Sequence, residues 1–271
     1  MTTLESEWVK SRWIKSRWVK SEWIKLVSVR STWWCLGTAA VLVPVFAVLT
    51  ALATDAVEAA AQPKAGLAAD DAFDPLRPLS GVLLAQFAFG VLGVLTITSE
   101  HSTGQIRTSL LAVPYRRRLL VAKLAVLLAV VAAVASLLTF GTFFLSQAVY
   151  PDGLGIALGD GGAWKALLGM IAYTVFIAAF GFAVGAALRG TGAAITVFMA
   201  VTFVVMSAVP AVLPNSAGDT ASHYTFLGLA DSLTTLQPDP QPGMPVAALL
   251  LAAYAVVALA PALLLTERRD A

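Results

Sequence analysis

Chemically reactive side chains are scarce in this chain. It has one cysteine, Cys35, and two histidines, His101 and His223. A lone cysteine cannot close an intramolecular disulfide. Its position at the start of an apolar run reads as a small buried residue, with palmitoylation near a membrane face as the other reading. The histidines do not stand at metal-ligand spacing, Glu100-His101 is not part of a His-Glu-x-x-His zinc motif, and Cys35 has no sequence-local base. No Gly-x-x-x-x-Gly-Lys-Ser/Thr loop is present, so this polypeptide is not expected to hydrolyse ATP. Charge is scarce too: Asp, Glu, Lys and Arg make up 13% of the residues, about half the share of a domain whose surface faces water. The long apolar segments hold almost no ionisable residue, which argues against a secondary transporter driven by protons or sodium.

Apolar length is what the chain has in abundance. Hydrophobic residues make up 58% of it and the mean hydropathy is +0.80. Six uncharged runs extend from Ser31 to Thr54, Leu79 to Thr98, Leu124 to Val149, Ala166 to Leu188, Gly190 to Leu213 and Val246 to Thr266. Each reaches the roughly 20 residues that a helix needs to cross a hydrocarbon core. The runs are continuously apolar and do not alternate, which excludes a transmembrane β-barrel. The expected fold is therefore all-α, a polytopic membrane protein with six transmembrane helices. The first run follows about 30 polar and aromatic residues and is longer than a signal-peptide core, so it is expected to remain as a span.

Charge is sorted between the connections. With both termini cytoplasmic, the cytoplasmic side holds every Lys and Arg except Lys64, Arg77 and Lys165, whereas Asp55, Glu58, Asp70, Asp71 and Asp74 fall outside. The Lys/Arg bias sets this orientation in the cell membrane. The basic residues follow the membrane edge and no recognition module accompanies them, so nucleic acid is not an expected partner. The chain divides into an interfacial segment (1–30), a six-span domain (31–266) containing a cytoplasmic loop (99–123), and a short cytoplasmic tail (267–271).

The interfacial segment carries a five-residue repeat, Ser-Glu/Arg-Trp-Val/Ile-Lys, four times over from Ser6 to Lys25. It places Trp8, Trp13, Trp18 and Trp23 ahead of Trp33 and Trp34 at the mouth of the first span. Tryptophan sits well among headgroups while lysine and arginine reach anionic phosphates, so membrane lipids are the expected partner of these six residues. A step of five turns a helix by about 140°, which spreads the tryptophans around its axis. An ordered interfacial helix and a loosely attached basic tail both fit.

Within the spans, Gln86, Thr96, Thr98, Thr139, Ser146, Gln147, Tyr173, Thr174, Thr196, Thr202 and Ser207 could line a polar path, and most suit hydrogen bonds between helices better. Gly181-Phe-Ala-Val-Gly185 is a small-residue pattern, and Gly181 and Gly185 are candidate helix-packing positions. In the loop, the hydroxyls of Ser102 and Thr103 and the stop at Pro114 predict a short helix ending near Ala112.

The loop also carries a resemblance. Thr98-Ser-Glu-His-Ser-Thr-Gly-Gln-Ile-Arg-Thr108, the Pro114-Tyr-Arg-Arg-Arg118 turn and Lys123, with Ser21-Glu-Trp-Ile-Lys25 and Val29-Arg-Ser-Thr-Trp33 upstream, resemble the ABC-2 class of ATP-binding-cassette transporter permeases, especially those of high-GC Gram-positive bacteria. The resemblance implies a non-catalytic membrane subunit that pairs with a second permease copy, as a homodimer or with a homologue. It also implies an ABC ATPase subunit, which would bind the ATP and magnesium; this chain itself would hold no cofactor. Residues 21–33 would form a connecting helix and approximately Glu100 to Pro114 a coupling helix docked on the ATPase. The usual direction implied is export, here of an amphiphilic or hydrophobic substrate. Glu100, Arg107, Arg116, Arg117 and Arg118 are the charged contact candidates, with Leu110, Leu111 and Pro114 beside them. For Glu100 a second reading is open, an internal pairing with Arg107 or Lys123 that fixes the loop. The alternative to a permease is a membrane scaffold or sensor whose basic loop binds a cytoplasmic partner.

Overall fold

The computed structural model describes residues 21–60, 76, 80–102, 116–149, 156–159, 162–188, 190–235 and 242–268. All regular structure among them is helical. A short helix α1 (residues 21–28) precedes α2 (Arg30–Ala60), α3 (Ser80–Ser102), α4 (Arg116–Val149) and α5 (Ala163–Leu188). Then come α6 (Thr191–Met199), a π-helical turn (Ala200–Val205), α7 (Met206–Val212), α8 (Asn215–His223), α9 (Phe226–Thr234) and α10 (Met244–Arg268).

Six stretches are long and apolar enough to cross a bilayer: Arg30–Thr50, Gly81–Glu100, Leu119–Val149, Ala163–Leu188, Thr191–Val212 and Met244–Pro261. They coincide with the six expected runs to within a few residues, and the protein is an all-α, multi-pass membrane protein. In hydrocarbon each backbone N–H and C=O must be satisfied inside its own helix. Several hydroxyls within the spans follow suit: Thr96, Thr98, Ser136 and Thr174 each donate to the carbonyl four residues earlier. The 34 residues of α4 extend about 50 Å, well past a core of roughly 30 Å. Its first turn is Arg116-Arg-Arg118, so the expected turn at these arginines is helical from Arg116 onward. α3 is helical to Ser102 and α4 from Arg116, so helical hydrogen bonding persists beyond the apolar runs; residues 103–115 between them lie outside the described residues.

The bundle is organised around α5 and α3. Of the fourth and second spans, 72% and 67% are buried, against 22%, 12% and 11% of the first, fifth and sixth. The two central helices cross where side chains vanish. A Cβ built on Gly181 would stand 2.1 Å from the Gly90 carbonyl oxygen, and one on Gly93 would stand 2.2 Å from the Ala178 carbonyl oxygen. Gly185 faces Val94 and Ile97 at the next turn. Without a hydrophobic drive between helices in lipid, this backbone approach maximises dispersion contact. One apolar core lies on the α2 and α4 side of the pair, around Phe89, Leu92, Leu127 and Leu167. The other lies on the α6, α9 and α10 side, around Ile177, Phe198, Phe226 and Leu251.

Between the fifth and sixth spans the chain forms the short helices α8 and α9. Thr225 caps α9 by accepting from the Gly228 amide at 3.1 Å, which satisfies an otherwise orphan donor. Gly169 of α5 admits the Leu233 carbonyl, which a Cβ would meet at 2.3 Å, so α9 lies directly on the central helix.

Candidate functional site

At one end of the bundle the chain gathers four charges, three of them buried. Within α1, Glu22 and Leu26 are four residues apart and Lys25 is three from Glu22, so the three share one face. That face turns inward: Glu22 and Leu26 are buried while Trp23 and Ile24 are exposed. The helix stops at Val29. The indole N–H of Trp33 donates across the break to the Val27 carbonyl at 2.8 Å, and the amide of Thr32 donates to the Val29 carbonyl. Trp33 thereby holds α1 at its junction with the first span. The expected connecting helix of 21–33 is thus two helices joined at Val29.

Glu100, on the last turns of α3, and Lys123, on the second turn of α4, complete the group. Lys123 Nζ lies 2.7 Å from Glu100 Oε1 and 2.8 Å from Glu22 Oε2. Lys25 Nζ lies 2.7 Å from Glu22 Oε1 and 3.3 Å from Glu100 Oε1. The result is a closed ring of alternating charge with no net charge, in which each ammonium bridges α1 to another helix. Glu22, Glu100 and Lys123 are all at least nine-tenths buried. A polar cavity of about 50 Å³ adjoins the ring, with Thr96 and Ser99 also in its wall, and it is large enough for water.

Such a ring is an orienting device more than a source of stability. Desolvating each ion costs several kcal/mol, and the attraction between partners offsets this only where geometry is good and all members are present. What the ring specifies is position: α1, the end of α3 and the start of α4 adopt one arrangement or lose their charge pairing.

Burial alone would discourage ionisation of Glu22. The hydrogen bonds and positive charges of Lys123 and Lys25 outweigh it and hold the carboxyl below its ordinary 4.5. Burial would also neutralise Lys25, but Glu22 and Glu100 keep its ammonium above the ordinary 10.5. A depressed carboxylate stabilises fully above its unfolded value and is lost as pH falls through the lower folded one; a raised ammonium stabilises fully below its unfolded value and is lost above the folded one. Docking of α1 should therefore be steady through neutral pH and weaken on acidification below 4.5. Amide hydrogen exchange of residues 21–28, corrected for intrinsic pH dependence, checks this. Protection that persists unchanged to pH 3 would contradict it.

The structure thus places Glu100 in an internal pairing with Lys123, one of the two readings left open for it. Arg107, Leu110, Leu111 and Pro114 lie outside the described residues, as do Trp8, Trp13 and Trp18. Arg116, Arg117 and Arg118 form the first turn of α4, with only their backbone described. Trp23, Trp33 and Trp34 are half or more exposed. Cys35 is half-buried rather than buried. Gly181 and Gly185 pack on α3 as described above. Glu22 and Lys25 are the members that sequence reasoning passed over. The signal for them was a glutamate in the last repeat copy, three residues before a lysine and directly ahead of the first span.

Residues 18–216, from just before α1 to the start of α8, match the family described as ABC-2 family transporter protein. That stretch is well over half of the chain and includes every member of the charge ring. The chain belongs to the ABC-2 transporter family. No curated protein matches this ABC-2 chain, and no solved structure matches it. Membership makes it a membrane permease with a role in transport, in a family whose permeases are typically non-catalytic and work with an ATPase subunit. No group of three or more His, Cys, Asp or Glu placed to hold a metal occurs among the described residues of the ABC-2 protein.

Proposed function

We propose that this ABC-2 protein is the membrane-spanning subunit of an ATP-driven exporter of amphiphilic or hydrophobic compounds, with α1 and the 103–115 connection as the parts that receive force from a separate ATPase. The observation that carries the reading is the ring of Glu22, Lys25, Glu100 and Lys123. It ties both stems of that connection to α1, so a push on the connection moves α1, α3 and α4 together. Two packed helices and a short connection transmit displacement when their relative position is determined by specific charge pairing.

The same reading puts both termini in the cytoplasm of a cell-membrane protein, supported by the Lys/Arg bias. It puts ATP and magnesium on the ATPase and pairs the subunit with a second permease copy. Lipid-facing surfaces on the first, fifth and sixth spans leave room for that copy, and the loop motif supports the high-GC Gram-positive type. Within the connection, Arg107, with Leu110, Leu111 and Pro114, is the ATPase contact, and Arg116–Arg118 flank it. Glu100 acts from inside, as the residue that couples the contact to the ring.

Affinity purification from native membranes tests this. An ABC ATPase should be recovered with the wild-type protein and lost by at least about tenfold in Arg107→Glu, at unchanged permease abundance, because a like charge replaces a charge-assisted contact. Absence of any ATPase from the wild-type preparation would turn the reading towards a membrane scaffold.

A further inference from the structure

The opposite end of the bundle contains a second cavity, far from the charge ring. It measures about 270 Å³ and is formed within one chain by α3, α5, the π-helical turn, α7, α8 and α9. Its walls combine Phe203, Met206 and Phe226 with the polar side chains of Gln86, Tyr173 and Thr202. All three polar side chains are at least nine-tenths buried. Tyr173 donates its hydroxyl proton to Gln86 Oε1 at 2.6 Å.

Thr202 is the informative member. Thr96, Thr98 and Thr174 each bond back to the carbonyl four residues earlier. The Thr202 hydroxyl is buried without a hydrogen-bond partner. Thr139 and Thr142 on α4 share that condition, but neither lines this cavity. Thr202 lies in the π-helical turn Ala200–Val205, and single π turns recur at functional sites. This one also turns Phe203 to stack on Phe87, with ring centroids 4.2 Å apart, which holds the opened turn in place.

We propose that this cavity binds an uncharged amphiphile, a compact hydrocarbon body with one hydroxyl, ether or amide group. The polar group would meet the Thr202 hydroxyl beside the Gln86–Tyr173 pair, and the hydrocarbon would lie against Phe203, Met206 and Phe226. No lining residue is ionisable in the neutral range, so a carboxylate or ammonium entering would go unpaired in a low-dielectric site and is disfavoured. The volume is slightly below that of a drug-sized pocket, which limits the occupant to a small molecule or one end of a larger one. As a station on a transport path the site rests on the exporter reading above; as a binding site it stands without it.

The test uses the full-length protein in nanodiscs with no ATPase and no nucleotide. The probe is a medium-chain primary alcohol bearing a diazirine, and adducts are mapped by peptide mass spectrometry. Adducts should concentrate at Tyr173, 202–206 and 222–227. Excess 1-decanol should displace them, whereas equal decanoate or decyltrimethylammonium should not. Thr202→Val, which keeps the shape and removes the hydroxyl, should reduce labelling about 3- to 10-fold, the range for one lost hydrogen bond, and Thr202→Phe should abolish it. Adducts spread evenly over lipid-facing residues such as Leu249 and Val256, equal displacement by all three competitors, or undiminished labelling of folded Thr202→Val would each overturn the proposal. Labelling absent while the ATPase still copurifies would remove the site alone. Focused labelling with no ATPase recovered would remove the exporter reading and leave the site.

Discussion

Replacing Lys123 with methionine is expected to destabilise the folded protein by about 3–5 kcal/mol, the range for removing one member of a buried ion pair. The ammonium of Lys123 lies within 3 Å of both Glu22 and Glu100. Without it two buried carboxylates face each other across α1 and α3, with the half-exposed Lys25 as their remaining bridge. Most of the loss is the cost of stranded charge, so it should be recoverable without restoring the ion pair. Adding Glu100→Gln to Lys123→Met should return the greater part of the stability, because one stranded charge is then removed. Denaturant titration in detergent of the wild type, both single variants and the double variant gives the coupling energy directly. Additive effects would mean that the ring contributes no mutual positioning. A stable double variant that has lost transport would separate the mechanical part of the ring from its structural part.

The second large effect is expected at the crossing of α3 and α5. Gly181→Ala and Gly93→Ala each place a methyl group where a carbonyl oxygen already stands, at 2.1 and 2.2 Å. The obstacle is backbone, so no rotamer change relieves it and the helices must separate. Overpacking in a close-packed interior typically costs about 1–3 kcal/mol, and a rigid backbone obstacle puts these variants at or above the upper end. Gly37→Ala and Gly141→Ala are the matched controls, since nothing lies within 4 Å of a Cβ at either position. Thermal unfolding in detergent should show a marked drop for the first pair and none for the second. Equal behaviour of all four would mean that α3 and α5 do not meet at their glycines.

The two regions are differently visible from sequence. A membrane span announces itself through length alone, because the bilayer imposes a minimum number of apolar residues and excludes charge over that length. The six runs and the fold class could thus be read residue by residue. The pattern Gly181-x-x-x-Gly185 likewise marks a packing face. Its counterpart did not stand out: Gly90 and Gly93 lie among other small residues of α3, and only the packing shows why they must be glycine, Gly93 against the Ala178 carbonyl of α5 and Gly90 against the Phe198 ring of α6. Glu100 offered internal and external partners equally well in sequence, since Lys123 and Arg107 are both near along the chain. Glu22 lies 78 positions before Glu100, and nothing local announces that one lysine will bridge them. The π-helical turn is less visible still, because Ala200–Val205 has the same composition as its flanks.

By itself, then, the sequence determined that this chain enters a membrane, how many times it crosses and where the charged connections fall. Those properties follow from transfer free energies that each residue carries wherever it is. Only the tertiary structure decided that Glu22, Lys25, Glu100 and Lys123 close into one ring, that α3 meets α5 at bare backbone, and that Thr202 faces a cavity without a partner. Those properties depend on distances of a few ångströms between residues remote along the chain, which are set by how whole helices pack.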